Sequence, residues 1–326
     1  MKVYKYLLGI GLLVLAGCSK SHPPAKGCNL NDYMTHSGNL KVLSTTAMID
    51  DIVKKIGGDH IDSIVLIKGE IDPHSYELVK GDNEKLSRAD VIFYNGLGLE
   101  HGASLRQKIE GHGCSIAVGD YLKQAFPERI IYIDGISDPH AWLDMSLWLN
   151  IIDPIQHAFC AKDPSHSSIY EENATKLKQE LLSIHQELRA KMQLIPDSEK
   201  YLVTSHDAFN YFTRAYLCNS QDAADWQKRC AAPEGLAPEG QLSVADIQRM
   251  VDFVFQNKVR VVFAESNLSR DSLKKIVDAC RIKGYGLVIA KERLFGDAMK
   301  ETKEGYTGML EHNISVLVEE WENLDE

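Results

Sequence analysis

Short runs of β-branched and aliphatic residues recur along the chain. Between them, apolar residues fall at three- and four-residue steps among charged ones. The runs Lys41–Thr45, Ile61–Ile67, Val91–Tyr94, Ser115–Val118, Tyr201–Thr204, Val259–Ala264 and Leu287–Ala290 predict strands. Several are almost wholly apolar, as expected of strands buried on both faces of a parallel sheet. The periodic segments Ala47–Ile56, Asp82–Ala89, Val244–Asn257 and Asp271–Arg281 predict helices between them. Strands alternating with helices over this length predict an α/β fold built from doubly wound sheets, with helices on both faces.

One segment breaks the rhythm. From about Ser167 to Leu194 there is no Gly or Pro, and Leu177, Leu181, Ile184, Leu188, Met192 and Ile195 recur at helical spacing among charged residues. This predicts an amphipathic helix of roughly 28 residues, about 42 Å at 1.5 Å per residue. It lies between two αβ blocks of similar size. The expected architecture is therefore two doubly wound lobes, residues 40–165 and 195–326, joined by one long rigid helix, 166–194. A single helix is a stiff joint, less permissive of hinge closure than several extended crossovers.

The first residues are of another kind. Lys2 and Lys5 precede an apolar run, Tyr6 to Ala16, that is too short to span a membrane as a mature helix. Residues 1–17 read as a secretory signal. Their end, Leu15-Ala16-Gly17-Cys18, resembles a bacterial lipobox, in which the cysteine is lipidated and becomes the first mature residue. The alternative is an ordinary signal peptide that happens to hold a cysteine. The polar stretch from 18 to 39, with Pro23 and Pro24, has neither period and reads as a flexible tether.

Charge and cysteine usage narrow the function. The formal charge is −10, and loss of residues 1–17 leaves 34 basic against 46 acidic side chains, −12. An acidic surface argues against nucleic acid as a partner. After the N-terminus no window has roughly 18 consecutive apolar residues, so no mature membrane span is expected. Six cysteines besides Cys18 remain: Cys28, Cys114, Cys160, Cys218, Cys230 and Cys280. None has the spacing of a thiolate metal site. An exported chain tolerates disulfides, and the pair singled out is Cys218–Cys230, which would close a polar loop.

Three of the twelve histidines stand in unusual settings. His74 ends Asp72-Pro73-His74, His140 ends Asp138-Pro139-His140, and His206 lies in Thr204-Ser205-His206-Asp207. His74 and His206 follow predicted strands at their C-terminal ends, where open α/β sheets place their ligand crevice. Proline fixes its own φ and restricts the residue before it, so a histidine on such a turn loses little entropy on binding a metal. A lone histidine is usually structural. Two Asp-Pro-His turns plus a third strand-end histidine in one α/β chain favour a metal site. Asp297, in Phe295-Gly296-Asp297-Ala298, is a fourth candidate after the last predicted strand; its plainer reading is a helix cap.

These motifs resemble those of the cluster A-I solute-binding proteins of metal ABC importers. That family carries a ligand histidine in a DPHxYE-like turn and a second in DPHxWLD. A third His or Glu follows a C-lobe strand, and an Asp lies in an LYSDAM-like turn. Here stand Asp72-Pro73-His74-Ser75-Tyr76-Glu77, Asp138-Pro139-His140-Ala141-Trp142-Leu143-Asp144, Ser205-His206-Asp207-Ala208-Phe209 and Asp297. Asn95-Gly96-Leu97-Gly98-Leu99-Glu100 and Phe263-Ala264-Glu265-Ser266 are similar to two further family segments. The resemblance spans 40–326 in order, and 64–106 and 229–247 are most similar to the family's chlamydial branch. It implies two (β/α)4-like lobes and the metal ligands His74, His140, His206 and Asp297. It implies Fe, Mn or Zn as the bound divalent ion, a membrane permease of an ABC importer as partner, a lipid anchor at Cys18 and a monomer. Glu100, Glu265, Asp144 and Arg270 would support the site rather than ligate. The His- and acid-rich loop of many zinc-specific members is missing: Leu99–Ser137 holds only His101 and His112.

A metallohydrolase and a surface adhesin on the same scaffold are the other readings. Against the first, the chain has no HExxH, HxHxD or nucleophile elbow. Four protein ligands would also leave no open position for a reacting water. Nothing in the sequence separates the adhesin from the metal-capture reading, and both could hold together.

Overall fold

The computed structural model describes residues 30–35, 38–219, 225–238, 242–299 and 304–322. The predicted signal, Cys18 and Cys28 lie outside them. The first half builds one parallel sheet from β1 (Leu40–Ser44), β2 (Ile61–Val65), β3 (Val91–Tyr94) and β4 (Ser115–Ala117), in the order β2-β1-β3-β4. Alternate residues of β1 face opposite ways, and both faces are covered. Val42 packs with Val91, Phe93 and the helix Ala47–Gly57, whose Ile49, Ile52, Val53 and Ile56 are all fully buried. Leu43 packs with Ile64 and Ile92 against Leu86 and Leu105 of helices on the other face. This is the doubly wound arrangement that near-continuous apolar strands predict.

After β4, a two-residue Asp134-Gly135 turn joins β5 (Tyr132–Ile133) and β6 (Ile136–Ser137) into an antiparallel hairpin. Asp134 has φ +51° and Gly135 φ +81°. Both turn positions demand left-handed backbone, and Asp-Gly is the pair that supplies it. The hairpin delivers the chain directly into Asp138-Pro139-His140.

The second half repeats the plan. Strands β7 (Leu202–Val203) and β8 (Cys230–Ala231) pair in parallel, as do β9 (Val261–Val262) and β10 (Val288–Ile289). The Phe263 N–H donates to the Val203 carbonyl at 2.8 Å and joins the two pairs. The resulting order β8-β7-β9-β10 matches that of the first sheet. Val203, Val262 and Ala264 pack on the helices Val244–Asn257 and Asp271–Ile282, while Leu202, Val261 and Phe263 face the central core.

Between the sheets runs the helix Ser167–Gln193, 27 residues long. Tyr170, Leu177, Leu181, Leu188 and Met192 form its buried stripe. It packs on Ala47–Gly57 and Ile152–Lys162 from the first half and on the terminal helix Gly305–Glu322. One apolar cluster consequently includes residues from both halves. Among the described residues no helix is long and apolar enough to cross a membrane.

Two expectations change. Within the stretch read as a tether, Leu30–Thr35 forms a short helix. Its Tyr33 is fully buried and donates its hydroxyl to the Lys85 carbonyl at 3.0 Å. The Cys218–Cys230 disulfide is not formed. Cys230 instead opens β8, and its thiol lies 3.5 Å from Asn210 Oδ1.

Candidate metal centre

The loops leaving the C-terminal ends of the strands meet in the centre of the molecule. His74 sits on the loop after β2. Asp72 Oδ1 accepts the His74 N–H at 2.8 Å, and its other oxygen accepts from Ser75 Oγ at 2.7 Å, so the turn is closed by its own first residue. The second Asp-Pro-His turn adds one bond. Asp138 Oδ1 accepts the His140 N–H at 2.9 Å and also lies 2.7 Å from the ring Nδ1. The turn is held from outside by Asn95, whose Nδ2 donates to the Pro139 carbonyl at 3.0 Å. Asn95 is placed in turn by the buried Glu100, which accepts from the Asn95 and Gly96 N–H groups and from Thr45 Oγ1. Burial pushes the Glu100 carboxyl up.

His206 follows β7 and pairs with Glu234 in an extension of β7–β8. Glu265, just past β9, accepts the Ser205 and His206 N–H groups on Oε1 at 3.1 and 2.9 Å, and its Oε2 lies 2.7 Å from His206 Nδ1. Leu294 pairs with Glu265 and begins the loop that carries Asp297. Gly296 is required there: a Cβ would collide with Glu265 Oε2. The terminal helix clamps this loop, because Asn313 accepts the Phe295 N–H and donates to the Phe295 carbonyl, each at 2.8 Å. From the first half, Trp142 Nε1 donates to the Gly296 carbonyl at 2.9 Å.

These supports bring the four sequence candidates together. His74, His140, His206 and Asp297 are all buried, and each offers a ligand atom within 4.8 Å of the others. His140 Nε2 is 3.2 Å from Asp297 Oδ1 and 3.2 Å from His74 Nε2. His206 Nε2 and His74 Nε2 lie 3.1 and 3.6 Å from Asp297 Oδ2. Among the described residues no hydroxyl, amide or backbone N–H donates to the Asp297 carboxylate.

The hydrogen bonds decide what such a cluster needs. A carboxylate only accepts. Asp138 therefore keeps the proton of neutral His140 on Nδ1, and Glu265 Oε2, 2.7 Å from His206 Nδ1, favours the same tautomer there. Both Nε2 atoms then present lone pairs to the lone pairs of Asp297. Acceptors buried face to face repel unless a cation lies between them. Two ligand atoms each about 2.1 Å from a tetrahedral ion sit roughly 3.4 Å apart; the four contacts above, at 3.1–3.6 Å, lie near that value, and all pairs fall within 4.8 Å.

Protons meet the same need. Burial opposes charge on His140, but the charge and hydrogen bond of Asp138, then Asp297, outweigh it and raise the imidazole to about 9. Burial likewise opposes charge on His206, and Glu265 and Asp297 reverse that, holding it well above its ordinary value. Burial would raise Asp297; the charge of His206, then hydrogen bonds from the three imidazoles, hold it well below the usual carboxylate range.

The other candidates fall outside the cluster. His101 has its ring 5.8 Å from that of His74, and its Nδ1 is 3.4 Å from the Gly98 carbonyl. Asp144 caps the helix Met145–Trp148 and pairs with Arg129 at 3.0 Å. Arg270 donates to the Lys291 carbonyl at 2.9 Å. The bond between Asp138 and Asn210, at 3.0 Å, was not legible, since the partners are 72 residues apart.

Two similar open α/β sheets with a buried His/Asp cluster between their strand ends have the architecture of a substrate-binding protein for a metal ion. The chain belongs to the metal-binding substrate-binding proteins of ABC transporters: the ZnuA family model, zinc-uptake complex component A periplasmic, matches residues 42–320. The metal-binding protein YtgA of Chlamydia trachomatis serovar D is 38% identical over 325 residues, covering 97% of this chain and 95% of that protein. The manganese-binding lipoprotein MntA of Bacillus subtilis is 33% identical over 285 residues, 85% of this chain and 88% of that protein. Among solved structures, Fe(III)-bound YtgA from Chlamydia trachomatis superposes with a TM-score of 0.81 at 38% identity, over 86% of this chain and 97% of that one. The periplasmic zinc-binding protein TroA from Treponema pallidum gives 0.77 at 30% identity, over 86% and 98%. Relatives of this kind are transporter components, which are not enzymes, and their role implies a permease partner.

Proposed function

We propose that the protein captures one divalent transition-metal ion (Fe, Mn or Zn) with His74, His140, His206 and Asp297 and delivers it to the permease of an ABC importer. The observation that carries this reading is the convergence of four buried side chains, His74, His140, His206 and Asp297, each offering a ligand atom within 4.8 Å of the others. Three imidazoles and one carboxylate form a borderline-hard donor set that suits all three metals. Relatives named for manganese and zinc, and one solved with iron in the trivalent state, support the same three elements. Residues 40–165 form one metal-binding lobe, 195–326 the other, and 166–194 the joint. Cys18 carries a lipid that holds the protein to a membrane outside the cytoplasm, and the protein acts as a monomer.

The test is a titration. Purified protein stripped with a chelator should take up close to one equivalent of Zn²⁺ or Mn²⁺. His140→Ala and Asp297→Ala should lose most of the affinity. Two equal tight equivalents, or none, would overturn the single-site reading. Loss of membrane partition in Cys18→Ala tests the anchor separately.

A further inference from the structure

Asn210 is 2% exposed and stands at the start of the short helix Asn210–Phe212, four residues beyond His206. Every polar atom of its amide is used. Nδ2 donates to Asp138 Oδ2 at 3.0 Å and to the Asp207 carbonyl at 3.2 Å, and Oδ1 faces the Cys230 thiol at 3.5 Å. Asp207 is the residue after His206. Asp138 Oδ1 holds the His140 ring. A continuous buried path thus runs from the His206 loop through Asn210 and Asp138 to the imidazole of His140. The neighbouring residue reinforces it: the Tyr211 hydroxyl donates to the Asp138 carbonyl at 3.2 Å and accepts the Ile131 N–H at 3.0 Å. Directly after Asn210–Phe212 the segment loosens into π-helix, Thr213–Leu217, a form that recurs at functional sites.

We propose that Asn210 is a positioning residue of the metal centre. It fixes the plane of the Asp138 carboxylate, and through it the direction of His140 Nε2, relative to His206. The inference rests on the reading of these histidines as ligands. Its chemistry is specific to an amide. The two atoms it must satisfy on one side, Asp138 Oδ2 and the Asp207 carbonyl, are both acceptors, so only an NH₂ group serves both. With Oδ1 tied to His140 and Oδ2 tied to Asn210, the Asp138 carboxylate has one orientation. Without Asn210 the carboxylate is held at Oδ1 alone, so its plane, and with it the His140 ring, is less tightly fixed. A carboxylate at position 210 would set two acceptors against Asp138 and should be worse than a simple deletion.

The test compares wild type, Asn210→Ala, Asn210→Asp and a control, Asn173→Ala. Asn173 also donates a bridging bond, to the Ile56 carbonyl at 3.0 Å, where the chain enters the N-terminal end of β2, opposite the strand ends that carry the cluster. Each protein is titrated with Co²⁺ while its visible absorption is recorded, and with Zn²⁺ against a chelator. Wild type and Asn173→Ala should share one Co²⁺ spectrum and one affinity. Asn210→Ala should still bind one equivalent, with shifted d–d bands and affinity lower by up to about 10-fold, the low end of the roughly 10–100-fold cost of losing a ligand's own hydrogen-bond partner, because Asn210 acts one bond further out. Asn210→Asp should lose more. If wild type binds no Co²⁺, the metal reading itself fails. If wild type binds and Asn210→Ala matches it in spectrum and affinity, the positioning role alone is overturned. Should Asn210→Ala not fold, Asn210→Asp is judged by the same criterion. Failure of both to fold also overturns the proposal, because Asn210 would then act in folding rather than in the centre.

Discussion

His140 Nε2 cannot hold a proton and a metal ion together, and this sets the pH behaviour of the cluster. Its imidazole titrates near 9, above the ordinary value of 6.5, and His206 is raised as well. A raised group favours the metal-free fold below the unfolded value, about 6.5, and that contribution disappears as pH climbs through the folded value. For binding the sign is opposite: the ion must expel these protons. Affinity should therefore rise with pH between about 6.5 and 9, by more than one proton's worth per unit because both rings contribute. Chelator-competition titrations at stepped pH read this directly, and a flat profile would contradict the hydrogen-bond assignment. The same logic separates ligands from bystanders. His74→Ala, His140→Ala, His206→Ala and Asp297→Ala should each cost more than the roughly 10–100-fold of an outer partner, while His101→Ala and His112→Ala should leave affinity unchanged. His74 and His140 were legible because each ends an Asp-Pro-His turn that closes on itself within three residues, and His206 and Asp297 because each follows a predicted strand. Their partners were not, since Glu265 reaches His206 across 59 residues and Asn210 reaches Asp138 across 72, and only the sheet topology makes those meetings.

At the scale of elements, the cluster depends on loops that are short and tightly supported. The Asp297 loop is the sharpest case. It is clamped by Asn313 on one side and Trp142 on the other, and at Gly296 it passes so close to Glu265 that no side chain fits. Gly296→Ala should either displace the loop or push Glu265 away from His206. Overpacking of this kind costs about 1–3 kcal/mol. A lower melting temperature together with weaker metal binding is expected; normal binding would show that the loop yields without moving Asp297. Sequence patterning found every strand of both sheets except β8, and it found the long helix within a residue or so at its end. It overextended the second-half strands, because β7, β9 and β10 keep ladder pairing for only two residues before turning into the loops that carry His206, Glu265 and Asp297. It also missed the β5–β6 hairpin, although Asp134-Gly135 is a strong turn signal. Tyr33 was missed for a different reason: a six-residue helix offers too few turns for a period to show, and tertiary burial alone holds it.

For the whole molecule, the decisive feature is that the two halves are not independent. One apolar cluster spans both, the terminal helix Gly305–Glu322 packs on the first-half helix Ala47–Gly57, and Tyr306 donates its hydroxyl to the Trp142 carbonyl at 2.7 Å. Heat should therefore unfold the metal-free protein in one cooperative transition. The candidate ligands fall on both sides of the long helix, His74 and His140 before it, His206 and Asp297 after it. A bound ion would cross-link the halves and bind the native state alone. Ligand linkage then adds RT ln(1 + [L]/Kd), about 4 kcal/mol at a thousandfold excess over Kd. At about 2 °C per kcal/mol for a large domain, this corresponds to a rise in Tm of roughly 8 °C. The rise should be larger at pH 8 than at pH 6, because the protons on His140 and His206 compete with the ion. Asp297→Ala should lose most of it. Calorimetric melts of stripped and Zn²⁺-saturated protein at the two pH values check all three points. Two separate transitions, only one of them moved by Zn²⁺, would place the ion within a single half and remove the cross-link from the argument.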